Sequence, residues 1–211
     1  MTAIHVHGGL CNRLRAILSW RAVCGPITVA WKPDSQVCDA RFGTAFKPLD
    51  GVTFVDAPEP GMVSTYEPHP DAKPGWEEAY RDLQPIMTPP RMPAVYSAVH
   101  MRRTDCVAYQ RDCGAYEPDD VFIDWARKAQ GLIFVATDNG TTQRVMINAL
   151  PGRVVTHYAI TEHADQDRAD VRNTTLIHAA WDLFTCAGAT MFRGSGASSF
   201  THAIHVLRGL R

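Results

Sequence analysis

Ala94-Val95-Tyr96-Ser97-Ala98-Val99-His100-Met101-Arg102-Arg103-Thr104-Asp105 is the stretch on which the reading of this chain turns. Its first half is an apolar run with β-branched and aromatic residues, the pattern of a buried strand. Its second half delivers a histidine, two adjacent arginines and an aspartate to that strand's carboxyl end, where open α/β sheets place their ligands. An arginine guanidinium is planar, forked and permanently charged, which suits it to the oxygens of a diphosphate. By itself the segment reads equally as a solvated turn with a local Arg–Asp pair.

Outward from this strand, β and α signals alternate. Toward the amino end, Thr2–His7 reads as a strand, broken by Gly8-Gly9 and followed by a helix over 12–24. Leu14, Ile17 and Leu18 share one face of that helix, and Gly25-Pro26 stops it. Strands are expected at Ile27–Trp31 and Val52–Val55, with a short helix around 39–46. Nine of the 14 prolines fall between Pro58 and Pro93, which predicts an extended, loop-rich linker with a short helix near Trp76–Asp82. Toward the carboxyl end, a loop precedes a helix over 118–130, with Pro118 suited to its first turn. Strands at 132–136, 153–157 and 190–192 then alternate with helices at 141–150, 174–186 and 198–208. Strands separated by helices imply parallel sheets covered by helices. The expected fold class is α/β with two Rossmann-like lobes: residues 1–92, ending in the proline-rich linker, and residues 93–211. One continuous doubly wound sheet is the alternative.

Bulk properties narrow the function. A chain of 211 residues can bury one large core or two of roughly 100 residues each. The net charge of −1 argues against a nucleic-acid binder, whose footprint is strongly basic. No apolar run is long enough for a membrane span. The first residues carry no charged and apolar pattern of a secretory signal. The six cysteines form no C-x-x-C pair, so free thiols in a reducing, cytoplasmic compartment are expected, a Cys106–Cys113 bridge being the lesser alternative.

Three further crossings from strand to helix carry polar residues. Gly194-Ser195-Gly196-Ala197-Ser198-Ser199-Phe200 precedes the last helix. Its glycines permit close backbone approach, helix-start N–H groups attract anions, and Ser198 and Ser199 add hydroxyls. Either serine also suits a plain N-cap. The segment loosely matches a dinucleotide fingerprint, but that fingerprint opens a domain, and here it stands at the last crossing. Asp138 and Asn139 end the run Phe134–Asn139 and suit helix caps or ligand contact alike. In Gly8–Arg15, Asn12 is a candidate cap, and Arg13 and Arg15 face a cleft or solvent. Asp165-Gln166-Asp167 resembles a metal-holding D-x-D but reads better as a solvated acidic loop. The pairs His5/His7 and His202/His205 have no further ligands and read as core or surface histidines.

Taken together, these motifs resemble the superfamily of α1,6-fucosyltransferases, nodulation fucosyltransferases and protein O-fucosyltransferases. The match rests on His100–Asp105, on Val135–Asn139, on the segment from Asp182 to Thr201, and on Gly8–Arg15 as the opening motif. The resemblance implies a GT-B fold whose carboxyl-terminal lobe binds GDP-fucose without a metal or other cofactor, the amino-terminal lobe serving the acceptor. It places Arg102 on the β-phosphate, with Arg103 and Asp105 completing or orienting the clamp. His100 and Asp182 resemble positions near guanine and ribose, Ser198 and Ser199 the diphosphate-binding serines. Asp138 and Asn12 join the donor site. The implied activity is metal-independent, inverting transfer of a sugar, fucose or a related one, from a GDP-sugar to a glycan or other hydroxyl acceptor. Members of the superfamily often carry an acidic base shortly after the arginine motif. Here Gln110 holds the nearest position, which leaves Asp112 as the candidate base and Glu117 close by. The rival readings are a catalytically silent nucleotide-sugar-binding protein on the same scaffold and a dinucleotide-binding Rossmann enzyme.

Overall fold

Thr2–Val6 (β1), Ile27–Trp31 (β2), Val52–Val55 (β3) and Val63–Thr65 (β4) form one sheet, in the order β3-β2-β1-β4. Tyr96–Met101 (β5), Leu132–Thr137 (β6), Val154–Val155 (β7) and Met191–Gly194 (β8) form a second, in the order β7-β6-β5-β8. The structure is a computed structural model that describes residues 2–34, 37–104, 107–160 and 174–210. Every strand pairing in it is parallel. The α/β class with two Rossmann-like sheets is therefore observed, and the single continuous sheet is not. The chain divides into two compact units, Met1–Thr88 with Val206–Arg211, and Pro89–His205.

In the first unit, helix Leu10–Cys24 (α1) buries Leu10, Leu14, Ile17 and Leu18, the face that its 3.6-residue period predicts. Gly25, at φ +74°, ends it and returns its N–H to the Arg21 carbonyl at 3.0 Å. A single turn, Phe42–Ala45 (α2), buries Phe42 and Ala45. The proline-rich span contributes a strand to the first sheet. Val63–Thr65 pairs with Ile4–Val6 as the edge strand β4, the place in a sheet that tolerates neighbouring prolines. A 3-10 helix, Trp76–Asp82, packs against α1 and buries Tyr80 completely. Lys47 and Ile86 then tie the span back through N–H bonds to Gln84 and Ala45 carbonyls, at 2.9 and 2.8 Å.

In the second unit β5 is buried along its whole length, as its apolar run requires. The helices that follow are Val107–Asp112 (α3), Asp119–Lys128 (α4), Gly140–Ala149 (α5), Leu176–Gly188 (α6) and Ser199–Gly209 (α7), of which α4 and α6 pack on β5 and α5 on β6. Val99 and Met101 enter a core with Phe122, Ile123 and Ala126 of α4 and Met146 of α5. The alternate face of β5 turns toward α6 and α7. There the Tyr96 hydroxyl donates to the Thr185 carbonyl at 2.7 Å, and His100 meets Thr201. Helix α3 occupies a stretch where only a loop was expected, because six residues are too few to show a helical period. Pro118 precedes α4, whose first turn carries Asp119 and Asp120 and whose last turn carries Arg127 and Lys128, matching the helix dipole.

Candidate functional site

The carboxyl end of β5 lies between β6 and β8, where the strand order reverses from one side of the sheet to the other. Open α/β sheets splay their following loops apart at such a point and leave a crevice. The loop after β8 folds back onto β5 there. Its Ser195 N–H donates to the His100 carbonyl at 2.9 Å, and its Oγ accepts the Arg102 N–H at 3.0 Å. Gly194 makes this closeness possible. A Cβ on it would stand 2.4 Å from the Thr201 methyl and 2.9 Å from the Phe192 ring. Two residues on, Ala197 takes φ +50°, a left-handed turn that aims the chain into α7.

His100 is buried, with Nδ1 2.9 Å from the Thr201 Oγ1 and its ring stacked on Phe200 at 4.6 Å. Burial, then the charges of Arg102 and Arg103, lower its pKa to about 3, so the imidazole is neutral at ordinary pH. A neutral ring with one nitrogen committed to a hydroxyl presents one defined donor or acceptor to a ligand.

Asp138, 6% exposed, ties the arginine segment together. Its Oδ1 accepts the Arg103 N–H at 2.7 Å, and its Oδ2 accepts the Thr104 hydroxyl at 2.6 Å and pairs with the Arg102 Nε at 3.2 Å. Asn139, not Asp138, caps α5, accepting the Thr142 N–H at 2.9 Å. The two arginines then part. Arg103 turns inward: Nε donates to Asp119 at 2.8 Å, one terminal nitrogen to the Glu117 carbonyl at 2.7 Å, and the guanidinium lies over Tyr116 and Phe122, each at 5.3 Å. It braces the segment from inside. Arg102, held through Nε, is the arginine that stays at the strand end.

Ser198 caps α7 with a long bond from the Thr201 N–H, 3.4 Å, and Ser198 and Ser199 are half-buried at the helix start. Asp182 on α6 is buried and accepts the Tyr158 hydroxyl; burial drives its pKa up to about 8, against the smaller lowering effect of that bond. Tyr158, stacked on His178 at 4.0 Å, is shifted upward by its own burial and by Asp182. Asp112 is exposed at the end of α3, whereas Gln110, two residues earlier in the chain, is fully buried. The Gln110 Nε2 donates to the Gly196 carbonyl at 2.8 Å, which ties α3 to the loop after β8, while its Oε1 has no hydrogen-bond partner. Asn12 belongs to the first unit, where it packs on Gly8 after β1. Asp105, Cys106, Asp165 and Asp167 lie outside the described residues. Among those residues, no group of three or more His, Cys, Asp or Glu is placed to hold a metal ion. Cys11, Cys24, Cys38, Cys113 and Cys186 stand outside any disulfide, and no described helix is long and apolar enough to cross a membrane.

No family model matches this chain, and no curated protein matches it in sequence. Solved structures do match it in shape. The fucosyltransferase NodZ from Bradyrhizobium superimposes with a TM-score of 0.57 at 13% identity, over 98% of this chain and 93% of that one. POFUT1 in complex with GDP-fucose superimposes with a TM-score of 0.58 at 10% identity, over 98% and 94%. The NodZ α-1,6-fucosyltransferase co-crystallised with GDP gives 0.56 at 12% identity, over 98% and 92%. The chain has a fucosyltransferase-like fold. Within it, Ser195 and Thr201 are the site neighbours that the sequence did not single out, the glycines flanking Ser195 being the one hint of the first, and Gln110, which stands where an acid is expected, ties α3 to their loop.

Proposed function

We propose that this protein is a metal-independent, inverting glycosyltransferase that transfers a sugar, fucose by resemblance, from a GDP-sugar to a hydroxyl acceptor. One observation carries the reading: at the strand-order reversal of the second unit, Arg102 is held by the buried Asp138 beside a glycine loop and the start of α7. An arginine and helix-start N–H groups together make a site for diphosphate. As the bond from the sugar to the leaving diphosphate breaks, negative charge grows on the phosphate oxygens. Donors that are already fixed in place stabilise that charge without reorganising. Arg102 supplies the charge; Asp138, Thr104, Ser195 and the inward-turned Arg103 fix where it stands. Ser198 and Ser199 line the same helix start, and His100 and Asp182 serve the nucleoside. Asp112, with its carboxylate exposed, takes the proton from the acceptor hydroxyl as that oxygen attacks the face of the sugar opposite the leaving group, which inverts the anomeric centre.

A second reading, a catalytically silent nucleotide-sugar-binding protein, draws on Gln110. The position nearest to the expected acid carries a buried amide that cannot accept a proton at neutral pH and is occupied with the Gly196 carbonyl. Calorimetric titration in EDTA with GDP, GDP-fucose, UDP and NAD tests the donor site. Binding of the two guanine ligands alone is expected, and preference for NAD or absence of guanine-nucleotide binding contradicts it. Release of GDP from GDP-fucose in the presence of acceptor hydroxyls, lost in Asp112→Asn, separates the enzyme from the silent binder.

A further inference from the structure

The first unit holds a cavity of about 320 Å³ beside the carboxyl ends of β2 and β3, lined by none of the candidate site residues above. Its walls are aromatic: Trp31, the last residue of β2, Phe42 of α2 and Phe54 of β3. Phe42 and Phe54 stack at 4.4 Å with 15° between their planes, and Trp31 meets Phe42 edge-on at 5.5 Å. Trp31 is fixed in turn, its indole N–H donating to the Ala40 carbonyl at 2.9 Å and the Arg13 guanidinium lying over it at 4.9 Å. The wall is therefore built before any ligand arrives, which lowers the ordering cost of binding. The size falls in the lower range of small-molecule sites, and carboxyl ends of parallel strands are where such sites occur.

The same cavity is lined by Arg41 and Asp56, which pair at 2.9 Å with both side chains 68% exposed. An ion pair so exposed adds little to the stability of the fold, and its bonds exchange readily for those of a ligand. The two groups also define what fits. An anion gains from Arg41 what it loses to Asp56, so the rim selects a neutral ligand. A wholly apolar ligand covers the rim without replacing its hydrogen bonds, which is costly. A ring with an apolar face and hydroxyls at its edge meets both demands: its face lies on the half-buried Phe54, which Phe42 and Trp31, each 2% exposed, back from behind, and its hydroxyls donate to the acceptor-only carboxylate and accept from the donor-only guanidinium. We propose that this cavity is a binding subsite for a neutral pyranose ring; assigning that ring to the acceptor rests on the glycosyl-transfer reading above.

Nitrogen-edited NMR of the full chain, observing the Trp31 indole signal, tests this with the methyl glycosides of glucose, galactose and N-acetylglucosamine. A saturable shift of the Trp31 signal by at least one of them is expected. Phe54→Ala should weaken that binding about tenfold through loss of the stacking face, and Arg41→Gln, on the exposed rim, should weaken it without touching the core. GDP affinity should stay unchanged in both. If no glycoside moves the Trp31 signal while GDP still binds, the subsite is refuted and the donor reading stands. If a glycoside binds there and GDP does not bind at all, the subsite stands and the transfer reading falls. Binding of indole or adenosine in preference to every glycoside refutes the saccharide assignment.

Discussion

The two units share one strand order, so each has a strand-order reversal at the carboxyl end of its first strand, yet the two ends are furnished in opposite ways. After β5 the chain presents two arginines organised by a carboxylate that is 6% exposed. After β1 it presents glycines, with Gly8 at φ +76° against the Asn12 side chain, and α1 begins without a side-chain cap. The arginines nearby are committed elsewhere. Arg13 is buried and donates to the Gly8 and Lys32 carbonyls at 2.8 and 2.7 Å, and Arg15 pairs with the exposed Glu67 at 2.8 Å. The same topology thus carries two arginines around a buried carboxylate at one strand end, and glycines with an arginine turned onto backbone carbonyls at the other. Topology brings the strand end and the following loops together; the buried Asp138 carboxylate fixes Arg102 there.

Four substitutions test this contrast. Asp138→Ala removes the shared acceptor of Arg102, Arg103 and Thr104 and leaves buried donors unmet; urea unfolding should show a loss of about 3–5 kcal/mol. A loss below about 1 kcal/mol would make the network incidental. Arg102→Ala should lower GDP affinity about 100-fold, on the order of 3 kcal/mol, by calorimetry. Its fold should survive, because the Asp138 carboxylate keeps the Arg103 N–H and the Thr104 hydroxyl. Asp182→Asn addresses the pH dependence. Asp182 titrates at about 8 in the fold against an ordinary 3.8, so between those values the unfolded chain gives up a proton that the fold retains, and stability falls as pH rises. The variant cannot ionise, so its thermal stability relative to wild type should climb by about 2 kcal/mol or more from pH 5 to pH 8. A constant difference across that range would refute the buried neutral carboxyl. His100 acts at the other end: with its pKa near 3 instead of 6.5, stability should fall as pH drops below about 6.5. The smallest effect belongs to the first unit, where Glu67→Ala should cost less than about 1 kcal/mol in the same unfolding experiment.

Much of this architecture was legible because its signals are local. Strands β2 and β3 and the 3-10 helix Trp76–Asp82 stand at the residues expected of them, bounded by glycine and proline. Strand β4 was not legible: Val63–Thr65 is short, mostly exposed and set among prolines, and only its pairing with β1 makes it a strand. The site divides in the same way. Strand-end residues such as His100, Arg102 and Asp138 announce themselves through the apolar runs that precede them. Their partners do not, since Ser195 reaches Arg102 across 93 positions, Gln110 reaches Gly196 across 86 and Thr201 reaches His100 across 101. The opposite fates of Arg102 and Arg103 were likewise hidden, because the carboxylate and aromatic rings that capture Arg103 come from α4 and the loop before it.

A crystal structure of the protein with GDP in the presence of EDTA would locate the diphosphate. Both phosphates are expected at the carboxyl end of β5, with the Arg102 guanidinium and the Ser195–Ser199 segment within hydrogen-bond distance, about 3 Å, of phosphate oxygens. Phosphates bound at the end of β1, or GDP held without any contact to Arg102, would contradict this placement.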